Sequence, residues 1–161
     1  MKGNPFQITK VISGGQTGAD RAGLDFAIAN NIPHGGWVPK GRKTEDGMLP
    51  ERYQLQEMPT GEYRKRTEKN ILDSDGTLIV SHGQLSGGSA LTRELAKKNN
   101  KFWIHIDMQE VTLETAAARL VSWIEKNRIG TLNVAGPRAS KDPKIYAATI
   151  ELLEQAVLRE K

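Results

Sequence analysis

Ile12-Ser13-Gly14-Gly15-Gln16-Thr17-Gly18-Ala19-Asp20-Arg21-Ala22-Gly23 leaves an apolar run and enters a helical one through glycines, so it reads as strand, tight turn and helix N-terminus. The first turn of a helix has unpaired N–H groups and a partial positive charge, and glycine lets a guest approach the backbone closely. Two readings fit: an anion site, with phosphate the natural guest, or a glycine turn needed only for close packing of helix on sheet. No Gly-Lys-Ser/Thr follows and the spacing is not G-x-G-x-x-G, so neither triphosphate hydrolysis nor a dinucleotide fingerprint is supported.

The strand, glycine loop and helix order recurs downstream. Thr77-Leu78-Ile79-Val80-Ser81 is an apolar run suited to a central parallel strand, and it empties into His82-Gly83-Gln84-Leu85-Ser86-Gly87-Gly88-Ser89, from which a helix is expected through Asn99. Leu132-Asn133-Val134 leads in the same way into Ala135-Gly136-Pro137-Arg138-Ala139-Ser140-Lys141. Asp142 then reads as the N-cap and Pro143 as the first residue of a last helix with Tyr146, Ile150, Leu153 and Val157 on its buried face. Between these units, Gly36-Trp37-Val38 and Phe102 to Ile106 read as strands, and Tyr63 to Asp73 as a helix. A further helix carries Ala117, Leu120, Val121 and Ile124 on one face and is capped by Gly130. Pro39 to Pro59 is a long charged loop of the kind that often carries function. Residues 1–161 therefore read as one α/β, Rossmann-like domain with an open, mainly parallel sheet and helices on both faces. Ligands in such sheets bind outside the carboxyl ends of the strands, so the three glycine-rich loops are expected to converge on one crevice.

Composition narrows the chemistry. The chain has 161 residues and no cysteine, which excludes disulfides, thiolate catalysis and cysteine-ligated zinc. His34, His82 and His105 do not fall at helical ligand spacing, so no directly ligated metal is expected. Met1 to Thr9 lacks signal-peptide character and no run approaches the ~18 apolar residues of a membrane span, which reads as cytoplasmic with no membrane partner. The net charge of +4 includes clusters at Lys40-Gly41-Arg42-Lys43 and Arg64-Lys65-Arg66 that could attract a small phosphorylated ligand or nucleic acid. Aromatic residues are too few for a platform along a single strand, so nucleic acid is not the expected partner.

Gly14, Gly15, Thr17 and Gly18, with Gly87, Gly88, Ser89 and Thr92, offer N–H groups and hydroxyls that could surround phosphate oxygens. Arg138, Lys40, Arg42 and Arg21 are either charged clamps or surface cations. Asp20 and Asp46 fit equally a hydrogen bond to a ligand amino or hydroxyl group and, for Asp20, simple helix-dipole stabilisation. Glu94 is a possible acid or base but equally a solvated helix residue, and no nucleophile and base pair with an orienting third group is present.

Several of these stretches carry a family likeness. Ser13 to Gly23, Trp37 to Arg42 with Glu45-Asp46-Gly47, Arg66-Thr67-Glu68-Lys69-Asn70, Asp73 to Leu78, Ser86 to Thr92 and Asn133 to Ser140, in this order along almost the whole chain, resemble the molybdenum cofactor carrier proteins. That family is similar to a circularly permuted, YpsA-like branch of the Rossmann-like superfamily that contains DNA-processing protein A and the plant "lonely guy" phosphoribohydrolases. The resemblance implies a cytoplasmic homo-oligomer, a tetramer or dimer, that holds molybdenum cofactor through its phosphate, pterin and oxo edges without ligating the metal, and that serves molybdoenzymes. It adds Gln16, Ser86, Gly136 and Ser140 to the pocket. Its rival within the superfamily is a nucleoside 5'-monophosphate N-glycosidase or nucleotide-derivative sensor with Glu94 as acid or base. Gly87-Gly88-Ser89-Ala90-Leu91-Thr92-Arg93-Glu94 keeps two glycines and the glutamate of the Gly-Gly-x-Gly-Thr-x-x-Glu motif but replaces the third Gly with Ala90 and the Thr with Leu91.

Overall fold

The structure, a computed structural model, describes residues 7–158. The chain runs β1 (Lys10–Ile12), α1 (Ala19–Ala29), β2 (His34–Gly35), β3 (Trp37–Val38), β4 (Lys43–Thr44), β5 (Gly47–Met48), β6 (Gln56–Glu57) and α2 (Tyr63–Leu72). It continues through β7 (Gly76–Ser81), α3 (Gly87–Lys98), β8 (Phe102–Asp107), α4 (Leu113–Asn127), β9 (Thr131–Ala135) and α5 (Ile145–Val157). Five strands form an all-parallel sheet in the order β2-β1-β9-β7-β8, with Lys10 opposite Thr131 and Gly76 opposite both Leu132 and Phe102.

The apolar run of β7 is buried along its whole length because helices cover both faces. Leu78 and Val80, with Val11, Leu132 and Val134, meet Phe26 of α1, Leu120 of α4 and Leu153 of α5 in the main core. On the opposite face Ile71 of α2 and Leu95 of α3 pack with Trp103 of β8. The α/β, Rossmann-like reading of the sequence holds. No described helix is long and apolar enough to cross a membrane.

Four local expectations are corrected. Trp37–Val38 is a strand as expected, but it pairs with β6 outside the main sheet, whose second strand is His34–Gly35, because the chain turns sharply at Gly36, where φ is 129° and a Cβ would lie 2.1 Å from the Ser13 carbonyl oxygen. Residues 39–59 are not an irregular loop. β3 pairs with β6 in parallel, β4 with β5 as a hairpin, and Val38, Leu49, Tyr53 and Leu55 pack with Leu24 in a core of their own. Arg128, in the left-handed conformation at φ 53°, caps α4 in place of Gly130. Finally, α5 starts at Ile145: Asp142 closes a turn by accepting the Lys144 N–H at 3.0 Å. The buried face of α5 is Ile145, Thr149, Leu152, Leu153 and Ala156, while Tyr146 turns outward and donates its hydroxyl to Asp25 at 2.5 Å.

Candidate functional site

Beyond the carboxyl ends of β1, β7 and β9 the loops enclose a cleft of about 790 Å³. The crossover from β1 runs outward to β2 and that from β7 runs outward to β8, so the two diverge on either side of β9, and a crevice opens where they part.

The first glycine turn is held from both sides. The Ser13 hydroxyl donates to the Asp20 carbonyl at 2.9 Å and accepts the Gly15 N–H at 3.2 Å. Gly15 and Gly18 have φ of 77° and 82°, and a Cβ on Gly18 would lie 2.3 Å from the Pro137 carbonyl oxygen. Thr17 donates to Glu45 and accepts the Ala139 N–H at 3.0 Å. Glu45 in turn accepts from the Ser140 N–H at 3.1 Å and the Ser140 hydroxyl at 2.5 Å, with Arg138 Nε at 3.9 Å. These bonds, the Ser140 hydroxyl first, hold the Glu45 carboxyl below its usual range. Thr17, Glu45 and Ser140 thus clip the hairpin β4–β5 to the loops after β1 and β9.

Other predicted contacts are spent inside the protein. Arg21 pairs with Asp46 at 3.2 Å and reaches the Gly15 carbonyl through Nε at 3.2 Å, and its hydrogen bond is the main reason Asp46 titrates below the usual range. Arg42 donates to the carbonyls of Leu49, Leu55, Pro50 and Tyr53 at 2.8 to 3.3 Å, tying the 39–59 excursion together from within. Lys40 lies exposed on that excursion.

The cleft floor is made by Gly14, Asp20 and Arg66. Arg66 is 8% exposed and Asp20 9%. Arg66 Nη1 donates to the Gly14 carbonyl at 2.6 Å. Burial pushes the Asp20 carboxyl up to about 6, the Arg66 charge opposing this only in part, and burial also lowers the Arg66 pKa. Asn70, one helical turn beyond Arg66, clamps the Trp37 backbone by accepting its N–H at 2.9 Å and donating to its carbonyl at 3.1 Å.

The rim is more open. Ser86, Gly88, Ser89 and Thr92 line one side, with the Thr92 hydroxyl donating back to the Gly88 carbonyl at 2.9 Å. Gly136, Arg138, Lys141 and Lys144 line the other. His82 also faces the cleft, its Nδ1 hydrogen-bonded to Asp142 at 2.7 Å.

Of the residues predicted from sequence, the structure brings Gly14, Gln16 and Asp20 together with Ser86, Gly88, Ser89 and Thr92, and with Gly136 and Arg138. Gly15, Thr17 and Gly18 sit behind that surface, Arg21, Asp46 and Ser140 in the clip beside it, Lys40 and Arg42 on the excursion, and Gly87 just outside the rim. Glu94 lies on the outer side of α3, with a side chain 58% exposed and paired with Arg93 at 3.3 Å. Arg66, His82 and Lys141 were not among the predicted residues. Arg66 gave no clear signal, because it sits in the basic run Arg64-Lys65-Arg66 and only the packing of α2 buries it. His82 had none, since its orienting partner is remote in sequence.

A Rossmann-like α/β domain with its cleft at the strand carboxyl ends is the class that this geometry defines. Residues 11–157 match the model of the circularly permutated YpsA SLOG family, and the chain belongs to that family. It is similar over 96% of its length, at 61% identity and with a TM-score of 0.94, to a crystal structure from Syntrophus aciditrophicus SB named "Putative molybdenum carrier protein", of which 98% is covered. No curated protein matches the chain.

Proposed function

We propose that the cleft carries molybdenum cofactor as a cargo for transfer to molybdoenzymes. The observation that carries this reading is the meeting of neutral N–H and hydroxyl donors at Ser86 and the first turns of α3 with Arg138, Lys141 and Lys144 around one cavity of about 790 Å³. That volume lies within the ~300 to 1,000 Å³ common to small-molecule sites, and the donors suit a phosphate-bearing guest. The name of the 61% identical relative supports the same cargo class.

The residues fit a cargo that brings its own metal ligands. The sequence has no cysteine, and among the described residues no three His, Asp or Glu side chains gather as a metal-binding set. Molybdenum is held by the pterin dithiolene, and the protein grips the phosphate, the ring and the oxo edge. Ser86, Ser89 and Arg138 hold the phosphate end, and the floor receives the ring. The outward position of Glu94 favours a carrier over N-glycoside hydrolysis. Two or four copies form the carrier, which sedimentation measures directly.

Anaerobic calorimetry with isolated cofactor is expected to show saturable binding at one per chain. No saturable binding, or release of free base from nucleoside monophosphates, overturns the reading. Arg138→Ala is expected to weaken cofactor binding by about 1.5 to 3 kcal/mol through loss of a charge-assisted hydrogen bond.

A further inference from the structure

The cleft floor holds two charged side chains that are short of partners. Arg66 has committed Nη1 to the Gly14 carbonyl, while its Nε is buried with no hydrogen-bond partner. Asp20 Oδ2 accepts the Gln16 N–H at 3.3 Å, longer than the usual range for such a bond. Buried polar groups left unpaired are uncommon in native proteins and call for an explanation. Charge balance alone does not supply one, because Arg66 offsets the burial of Asp20 only in part.

Both groups crowd the place where a side chain at Gly14 would project. A Cβ there would lie 2.8 Å from Arg66 Cζ and 3.0 Å from Asp20 Oδ2. Glycine at this position therefore lets an acceptor pair and a donor sit side by side on one surface of the cleft. Tyr63, 44% exposed and with its ring centroid 5.4 Å from Arg66 Cζ, provides a flat wall above them.

We infer that this floor reads the edge of a 2-amino-4-oxopyrimidine ring, with the Asp20 carboxylate accepting the ring N–H and the exocyclic amino group and the cleft-lining edge of the Arg66 guanidinium donating to the adjacent oxo group. Pterins and guanine share this edge, and the inference rests on the cofactor reading only for the choice between them. The donor, donor, acceptor order of the ring meets the acceptor, acceptor, donor order of the floor. Exchanging the amino group for a second oxo group, as in lumazine, removes one donor and points a lone pair at the carboxylate. A site built to pair a polar group discriminates strongly against an analogue that leaves it unpaired. Tyr63 stacks on either ring and so adds affinity without discrimination.

The test titrates the full-length protein with pterin, lumazine and GMP, followed by ring fluorescence for the first two and calorimetry for the third. Wild type is expected to prefer pterin over lumazine at least tenfold, and Asp20→Asn to lose that preference while Tyr63→Ala weakens both ligands and keeps their ratio. Equal affinities in the wild type, no saturable binding of either ring, or an Asp20→Asn protein that keeps the preference overturns the inference. Tighter binding of GMP than of pterin supports the edge reading and moves its source to guanine. The wild-type ligand comparison decides the matter even if Asp20→Asn does not fold. Failure of the carrier reading is separate: molybdenum cofactor that does not bind while the pterin preference stands removes the cargo and leaves the floor. Cofactor bound as tightly by Asp20→Asn as by wild type removes the floor and leaves the cargo.

Discussion

Gly14 to Gly18 and Gly83 to Gly88 each follow a sheet strand and lead into a helix, yet their surroundings are opposite. A Cβ on Gly14 or Gly18 would fall within 2.2 or 2.3 Å of an atom already in place, whereas nothing lies within 4 Å of one on Gly88. The first turn uses glycine so that Arg66, the Pro137 carbonyl and the core of the 39–59 excursion can come close. The second leaves open space beside Gly88 at the cleft rim. Both loops border the cleft, but the first spends its glycines on close packing while the second leaves room at the rim.

The largest effect that tests this contrast is Gly18→Ala. At φ 82° and ψ −130° the backbone is accessible only to glycine, and the new methyl would press on the backbone at Pro137 to Ala139. A loss of about 3 to 5 kcal/mol in denaturant unfolding is expected; a cost within the range of an ordinary surface change breaks the comparison.

A second test uses the charge that the first turn encloses. Burial raises the Asp20 carboxyl to about 6 in the folded chain against 3.8 for a free aspartate, so the folded state binds the extra proton between them. Its stabilising contribution is complete below 3.8 and is lost as pH rises through about 6, amounting to about 3 kcal/mol. The groups acting on it are Arg66 from α2 and Arg21 from its own helix. Glu45, Asp46 and Asp107 have lowered pKa values and act in the opposite sense, losing stability as pH falls, so the readout is the difference between proteins. The stability of Asp20→Asn relative to wild type is expected to rise between pH 4 and pH 7 in urea titrations. A difference flat with pH contradicts the buried-charge account.

The smallest effect is Gly88→Ala. This residue lies in the first turn of α3 with open space around it, so stability is expected to change by less than about 1 kcal/mol, in the favourable direction. Ligand affinity is expected to fall, since the methyl projects at the rim. A clear loss of stability with unchanged affinity reverses the roles assigned to the two loops.

This contrast also explains what could be read from the residues. The parallel sheet was legible because Thr77 to Ser81 is apolar without alternation, a pattern that only a strand covered on both faces tolerates. The convergence of loops followed from topology. The function of individual glycines did not, because a glycine that admits a neighbouring arginine and one that admits a ligand look alike in sequence. Arg66 sits in a run with Arg64 and Lys65 that resembles a solvated face, and only the tertiary packing of α2 buries one cation of the three. Asp142-Pro143 has the composition of a helix start, but the carboxylate is engaged by His82 Nδ1 and by the Lys144 N–H, and the helix begins later. Arg42 and Glu45 lie in a charged stretch whose length suggested a loop, while their bonds to backbone and to Ser140 make them fasteners of a small folded unit.

The place of β9 between β1 and β7 sets the timetable of assembly. As the chain emerges from the ribosome, the β1–β2 and β7–β8 pairs have no native hydrogen bonds to one another, and each presents a bare edge. Among the described strands, the last in sequence is the one that joins them. Floor and rim draw on both halves, so the cleft is complete only once β9 has paired with both.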